Sequence, residues 1–140
     1  MKKLIVLCAS LAFMVACNSA DTTQTAEQTT EATAPATQAI NSQEAKDLLS
    51  QNPDVVILDV RTPMEYAQGH LQNSELVDFS APDFQEKLKA LDPEKPYLVY
   101  CAVGGRSGKA TQLMEQLGFK QLYDATDGFT SLKSAGLAVE

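Results

Sequence analysis

The apolar positions of this chain change their spacing several times, and each change marks an element. Val55-Val56-Ile57-Leu58 and Tyr97-Leu98-Val99-Tyr100 are unbroken apolar runs, the pattern of parallel strands covered on both faces. Elsewhere the apolar residues fall at helical intervals. Ala45, Leu48 and Leu49 follow an Asn41/Glu44 capping box, and Pro53 ends that region. Phe84, Leu88 and Leu91 follow Ser80 and Asp83 and stop at Pro93, while Ala110, Leu113, Met114 and Leu117 share one face of residues 109–117. Thr62-Pro63-Met64-Glu65 places threonine at a helix cap, proline first and glutamate third, and Gly69 closes that short helix. Leu76-Val77 forms a short strand. Gly118 caps the long helix with Phe119 folding back onto Met114, Gln121-Leu122-Tyr123 is the final strand, and residues 130–135 form a last short helix.

Strands alternating with helices over such short connections predict an α/β domain with a mostly parallel central sheet and helices on both faces. In sheets of this kind the reactive crevice lies outside the carboxyl ends of the strands. Asp59 and Cys101 each end a strand, so they are expected in one crevice. No internal repeat is visible.

The N-terminal third follows different rules. Lys2-Lys3 precede an apolar stretch over residues 4–16, too short to span a bilayer but right for an export signal. It runs through Met14-Val15-Ala16 into Cys17. Residues 18–39 are built mainly from Thr, Ala, Gln, Glu and Ser with no apolar period, a composition that cannot bury enough surface to offset its ordering entropy. They are expected to form a flexible tether with a reach of roughly 25 Å, and the folded domain to begin at Ile40. The formal charge of −7 is spread without any basic stripe, which argues against nucleic acid as a partner.

The candidate chemistry lies in Cys101-Ala102-Val103-Gly104-Gly105-Arg106-Ser107, between the central strand and the long helix. The two glycines permit positive φ, so successive N–H groups can turn inward as an anion nest. The helix adds its positive end and Arg106 a full charge. Such surroundings lower a thiol pKa to between about 3.5 and 7.5, so the loop reads as a device for holding a thiolate. If Cys8 is removed with the signal and Cys17 is modified, Cys101 is left as the free thiol. One histidine, His70, and one available thiol do not supply a zinc site. His70 belongs to a different segment and fits a turn packed against the sheet. Arg61 and Glu65 are expected to pair and fix the short helix. Asp59 is structural, either receiving hydrogen bonds that brace the loop or Arg106, or capping a turn. Ser107 is placed to cap the long helix.

Two blocks carry a resemblance. Leu58-Asp59-Val60-Arg61-Thr62-Pro63 with Glu65-Tyr66 and Gly69-His70 form one, and the loop from Cys101 to Ser107 the other; Asp127-Gly128-Phe129 adds to them. With these the chain, from Ile40 to its end, resembles a single-domain rhodanese. The resemblance implies a rhodanese-like fold and sulfur transfer without a cofactor or metal. Cys101 would be the nucleophile that carries a persulfide. The N–H groups of Ala102, Val103, Gly104, Gly105, Arg106 and Ser107 would cradle the outer sulfur, Arg106 would position an anionic donor such as thiosulfate, and Asp59 would support the site. Small-molecule donors and a thiol or cyanide acceptor are the implied partners, and a monomer is expected. Gln72, Ser74, Asp78, Asp127, Leu132 and Ala138 depart from the family pattern outside the loop. The segment 14–17 similarly resembles the lipobox of bacterial lipoproteins. It implies cleavage before Cys17, lipidation of Cys17, a membrane anchor, and a domain facing the periplasm or the cell surface.

Two other readings share these residues. Cysteine-based phosphatases and arsenate reductases also cradle an oxyanion with loop amides and an arginine, but place one residue more between cysteine and arginine. The four here make a ring too tight for phosphate and suited to a single sulfur. Alternatively the domain carries persulfide to a partner protein and turns over slowly with small molecules.

Overall fold

A computed structural model describes residues 36–140. The expected signal, Cys8, Cys17 and residues 18–35 of the tether lie outside the described residues. Five parallel strands form one sheet in the order β1-β5-β4-β2-β3: β1 Thr37–Ile40, β2 Val56–Asp59, β3 Glu75–Leu76, β4 Pro96–Tyr100 and β5 Gln121–Ala125. The helices are α1 Ser42–Gln51, α2 Pro63–Ala67, α3 Phe84–Lys89, α4 Gly105–Gln116 and α5 Gly128–Ser134.

The apolar run of β4 is explained by its central place, since Tyr97, Leu98, Val99 and Tyr100 are all buried. Its side chains alternate between the two layers. Tyr97, Val99 and Cys101 pack with Phe84 and Leu88 of α3 and Ala110 and Met114 of α4. Leu98 and Tyr100 pack on the other face with Ala45 of α1 and Leu132 of α5. The chain steps outward from β2 to β3 and then returns across β2 to β4, so the topological switch falls between β2 and β4. There Asp59 lies in register with Tyr100. The crevice at that switch is the place where such sheets bind ligands.

The capping boxes at Asn41/Glu44 and Thr62/Glu65 are both present. Gly118 closes α4 at φ 92°, with Phe119 N–H donating to Met114 O and Gly118 N–H to Glu115 O, a Schellman closure. The differences from expectation have local causes. Thr37 to Ala39, expected in the tether, belong to β1, which pairs in parallel with β5 from Thr37↔Leu122 to Ile40↔Ala125. An edge strand with an exposed middle needs no apolar pattern, because its partner supplies the hydrogen bonds. β3 is set one residue early, at Glu75–Leu76, by its register against Leu58 and Asp59. Helix α3 begins at Phe84 without a side-chain cap. Ser80 instead donates its N–H to Asp78 in a turn, and Asp83 pairs with Lys87. Helix α4 begins at Gly105, so the second half of the cysteine loop is already helical; β5 continues to Ala125 and α5 starts at Gly128.

Candidate active site

Cys101 leaves the end of β4 and is 1 % exposed. The Gly104 N–H donates to its Sγ at 3.1 Å. Burial pushes the thiol up, but the N–H groups of Ser107, Val103 and Arg106, with the Ser107 side chain close by, outweigh it and leave the pKa below its ordinary value. Ser107, itself fully buried, donates its one hydroxyl proton to Gly104 O at 3.0 Å and so ties the helix start to the loop. The donors facing the sulfur therefore come from Val103, Gly104, Arg106 and Ser107. The Ala102 carbonyl faces Gly128.

Only one of the two neighbouring glycines uses positive φ. Gly104 sits at φ 85° with its α-carbon against the carbonyl of Thr126, where a Cβ would collide with the backbone. Gly105 has ordinary helical geometry and open space around it, so the expectation that both glycines turn the loop is corrected. The turn between β5 and α5 closes the loop from beneath. Gly128 at φ 77° lies against the carbonyl of Ala102, and the Phe129 N–H donates to Cys101 O at 2.8 Å. The sequence did not reveal this seat, since it depends on the approach of two backbones.

The arginine pairing also differs from expectation. Arg61 does not pair with Glu65; it folds back on Asp59, donating Nε at 2.9 Å and Nη2 at 2.7 Å to Oδ2. Its Nη2 also reaches Gly69 O, and its guanidinium lies 4.0 Å from the Phe129 ring centre. Two residues apart, Asp59 and Arg61 are closer partners than a helical residue four positions on. Asp59 thus braces the segment leading to α2 and, through Phe129, the floor of the loop, without touching Arg106.

Glu65 is left to take Arg106. Arg106 Nη1 donates to Oε2 at 2.8 Å and Nη2 to Oε1 at 2.6 Å, a bidentate pair that joins α2 to the cysteine loop. Arg106 and the Thr62 cap together hold the Glu65 carboxyl down at about 2. Among the described residues the large apolar side chains left exposed are Met64, 75 %, and Val103, 80 %; each adjoins a part of this site, one on α2 and one in the loop.

Asp124 is a carboxyl that the sequence pattern does not single out, because it lies past the expected end of the final strand at Tyr123. It is buried on β5, its pKa is raised by burial against a lowering contact from Ser107, and its Oδ2 lies 3.2 Å from where a Cβ on Gly108 would stand. Asp127 lies at the start of α5 but caps α1 instead, accepting from the N–H and hydroxyl of Ser42 at 2.9 and 2.7 Å. His70 stacks on Tyr66 with ring centres 3.6 Å apart and bonds its carbonyl, as a packed turn residue. Among the described residues no group of three or more His, Cys, Asp or Glu side chains is placed to hold a metal.

A family model described as the rhodanese-like domain matches residues 41–135. The chain belongs to the rhodanese-like family. Among curated relatives, the thiosulfate sulfurtransferase GlpE of Coxiella burnetii is 36% identical over 95 residues, covering 68% of this chain and 86% of its own length. A tRNA uridine(34) hydroxylase of Cytophaga hutchinsonii is 35% identical over 83 residues, which is 57% of this chain and 27% of that protein. Of solved structures, a rhodanese-related protein from Thermoplasma volcanium superposes with a TM-score of 0.64 at 34% identity, over 74% of this chain and 97% of its own. A rhodanese-like domain protein from Staphylococcus aureus gives 0.63 at 27% identity, over 74% and 98%. Sulfur transfer is therefore supported for this chain at the level of its family.

Proposed function

We propose that the domain is a sulfurtransferase that works through a persulfide on Cys101. The observation that carries this reading is a buried thiol with a lowered pKa, accepting from the Gly104 amide inside a loop with four residues between cysteine and arginine. The Cys101 thiolate attacks the outer sulfur of a donor such as thiosulfate. A new S–S bond forms, the donor's S–S bond breaks, and sulfite leaves with the electron pair. The loop amides then hold the terminal sulfur anion, each charge-assisted hydrogen bond contributing about 1.5–3 kcal/mol. A nucleophilic acceptor, cyanide or a thiolate, takes that sulfur and regenerates the thiolate. No separate general base is invoked, because the hydrogen bonds that lower the thiol pKa favour the thiolate that attacks.

A phosphatase or arsenate reductase is the weaker alternative, since so short a ring around an almost enclosed sulfur leaves little room for a tetrahedral oxyanion. A sulfur carrier serving a protein partner is favoured by one observation, the exposed apolar Met64 and Val103 beside the loop. The deciding experiment is thiocyanate formation from thiosulfate and cyanide by wild type and Cys101→Ser. Turnover that depends on Cys101 supports the enzyme. A protein that loads one sulfur yet discharges it only to another protein supports the carrier, and turnover retained in Cys101→Ser overturns both.

We further propose that the domain is held at a membrane of the cell envelope by lipid on Cys17, with the tether spacing it from the surface. Several acyl chains give stable attachment. The mature protein should begin at Cys17 and partition with membranes, and Cys17→Ser should be soluble or uncleaved. An unmodified mature terminus elsewhere contradicts this.

A further inference from the structure

The arginine beside the thiolate already has an anion. Glu65 grips both terminal nitrogens of Arg106, and its Oε2 also accepts from the N–H and hydroxyl of Thr62 at 2.9 and 2.8 Å. The carboxylate is therefore fixed by the start of α2 as well as by the arginine. With Cys101 in its attacking thiolate form, −1 for the sulfur, +1 for Arg106 and −1 for Glu65 leave −1 at the loop, on a chain whose own charge is −7. A dianion that seeks Arg106 must either displace a held carboxylate or approach a site of its own sign.

We propose that Glu65 is a specificity-determining residue of this site, selecting sulfane donors of low charge over dianionic ones by neutralising Arg106. The inference rests on the sulfur-transfer reading and names the donor class for it: persulfides and thiosulfonates ahead of thiosulfate. For a hydropersulfide the step balances without any further reagent. The Cys101 thiolate attacks the outer sulfur of R–S–S–H, the Cys101 S–S bond forms, the donor's own S–S bond breaks, and R–S⁻ leaves with the electron pair. The hydrogen stays on the transferred sulfur.

The test uses two donors that differ by one charge and have related sulfur(IV) oxyanion leaving groups: thiosulfate, a dianion releasing sulfite, and methanethiosulfonate, a monoanion releasing a sulfinate. Glu65→Gln keeps an acceptor for the Thr62 cap and removes the charge. It should lower the thiosulfonate-to-thiosulfate ratio of kcat/KM about tenfold, chiefly through a lower KM for thiosulfate, as expected for one unit charge acting at close range near a protein surface. A residue that served only the fold would change both donors alike. A second reading needs no variant. In wild type the rate with thiosulfate should rise with salt as like charges are screened, and more steeply than with the monoanion. An unchanged ratio in a variant that still loads sulfur on Cys101, or equal salt dependence for both donors, overturns the role of Glu65 and leaves sulfur transfer standing. Failure of wild type to load sulfur from either donor overturns the sulfur-transfer reading and this inference with it.

Discussion

Two arginine–carboxylate pairs flank the same crevice and do different work. In the Asp59–Arg61 pair the side chains are 0 % and 5 % exposed, and the arginine is stacked over Phe129. In the Glu65–Arg106 pair they are 32 % and 27 % exposed, at the solvent boundary beside Cys101. Chemistry and distance are nearly the same, at 2.7 and 2.6 Å. Burial makes the difference. A buried charge whose partner is removed has no water to turn to, so the first pair fixes the backbone between β2 and α2. An accessible pair can be remade with solvent or substrate, so the second sets the charge a donor meets.

Arg61→Leu is the change that should break this contrast most visibly. It leaves the buried Asp59 carboxylate without a counter-charge, held only by the Arg61 amide and the Tyr100 hydroxyl, and should cost about 3–5 kcal/mol in urea denaturation. Arg106→Leu should cost no more than about 1 kcal/mol while changing donor use. Equal stability losses for the two arginines would show that burial does not separate them.

The neighbouring glycines sharpen the same lesson on the other side of the loop. Gly104→Ala must place a side chain at φ 85° against the carbonyl of Thr126. Left-handed strain alone costs about 1–3 kcal/mol, and moving the amide that faces Sγ by an ångström can lower turnover about 100-fold. Gly105→Ala meets open space in the first turn of α4 and should stay within about 0.5 kcal/mol of wild type. Parallel urea melts and thiocyanate assays on the two variants check this; similar losses in both would mean that the pair acts as a unit.

A smaller effect lies in the acid range. Glu65 is held at about 2 against an ordinary 4.5. A carboxyl with a depressed folded-state pKa contributes stability that is complete above its unfolded value and disappears as pH falls through the folded one. The stability difference between wild type and Glu65→Gln should therefore be constant above about pH 4.5 and close between there and about pH 2. A difference that instead changes between pH 6 and 8 would contradict the assignment, whereas donor selectivity should show no Glu65 titration across neutral pH.

The buried parts of the fold were legible because burial on two faces writes itself into apolar runs, as in β4, and because helix starts such as Thr62-Pro63-Met64-Glu65 are local. The edge strand β1 was not, since Thr37 to Ala39 owe their conformation to β5. At the site, Cys101, Arg106 and the loop were found from residue types in order. What escaped was long-range: Glu65 reaching Arg106 across 41 positions, the Thr126–Gly128 turn seating the loop, and Asp124 beneath Ser107. Each depends on where a side chain or carbonyl arrives in space, and a local reading paired Glu65 with the nearer Arg61 instead.

The central claim is that one sulfur atom is held on Cys101 by the loop, and peptide-level mass spectrometry after exposure to a sulfane donor tests it most directly. The account predicts that the peptide containing Cys101 gains the mass of one sulfur, loses it on addition of cyanide, and gains nothing in Cys101→Ser. Absence of the adduct on that peptide, with either thiosulfate or a thiosulfonate as donor, contradicts it.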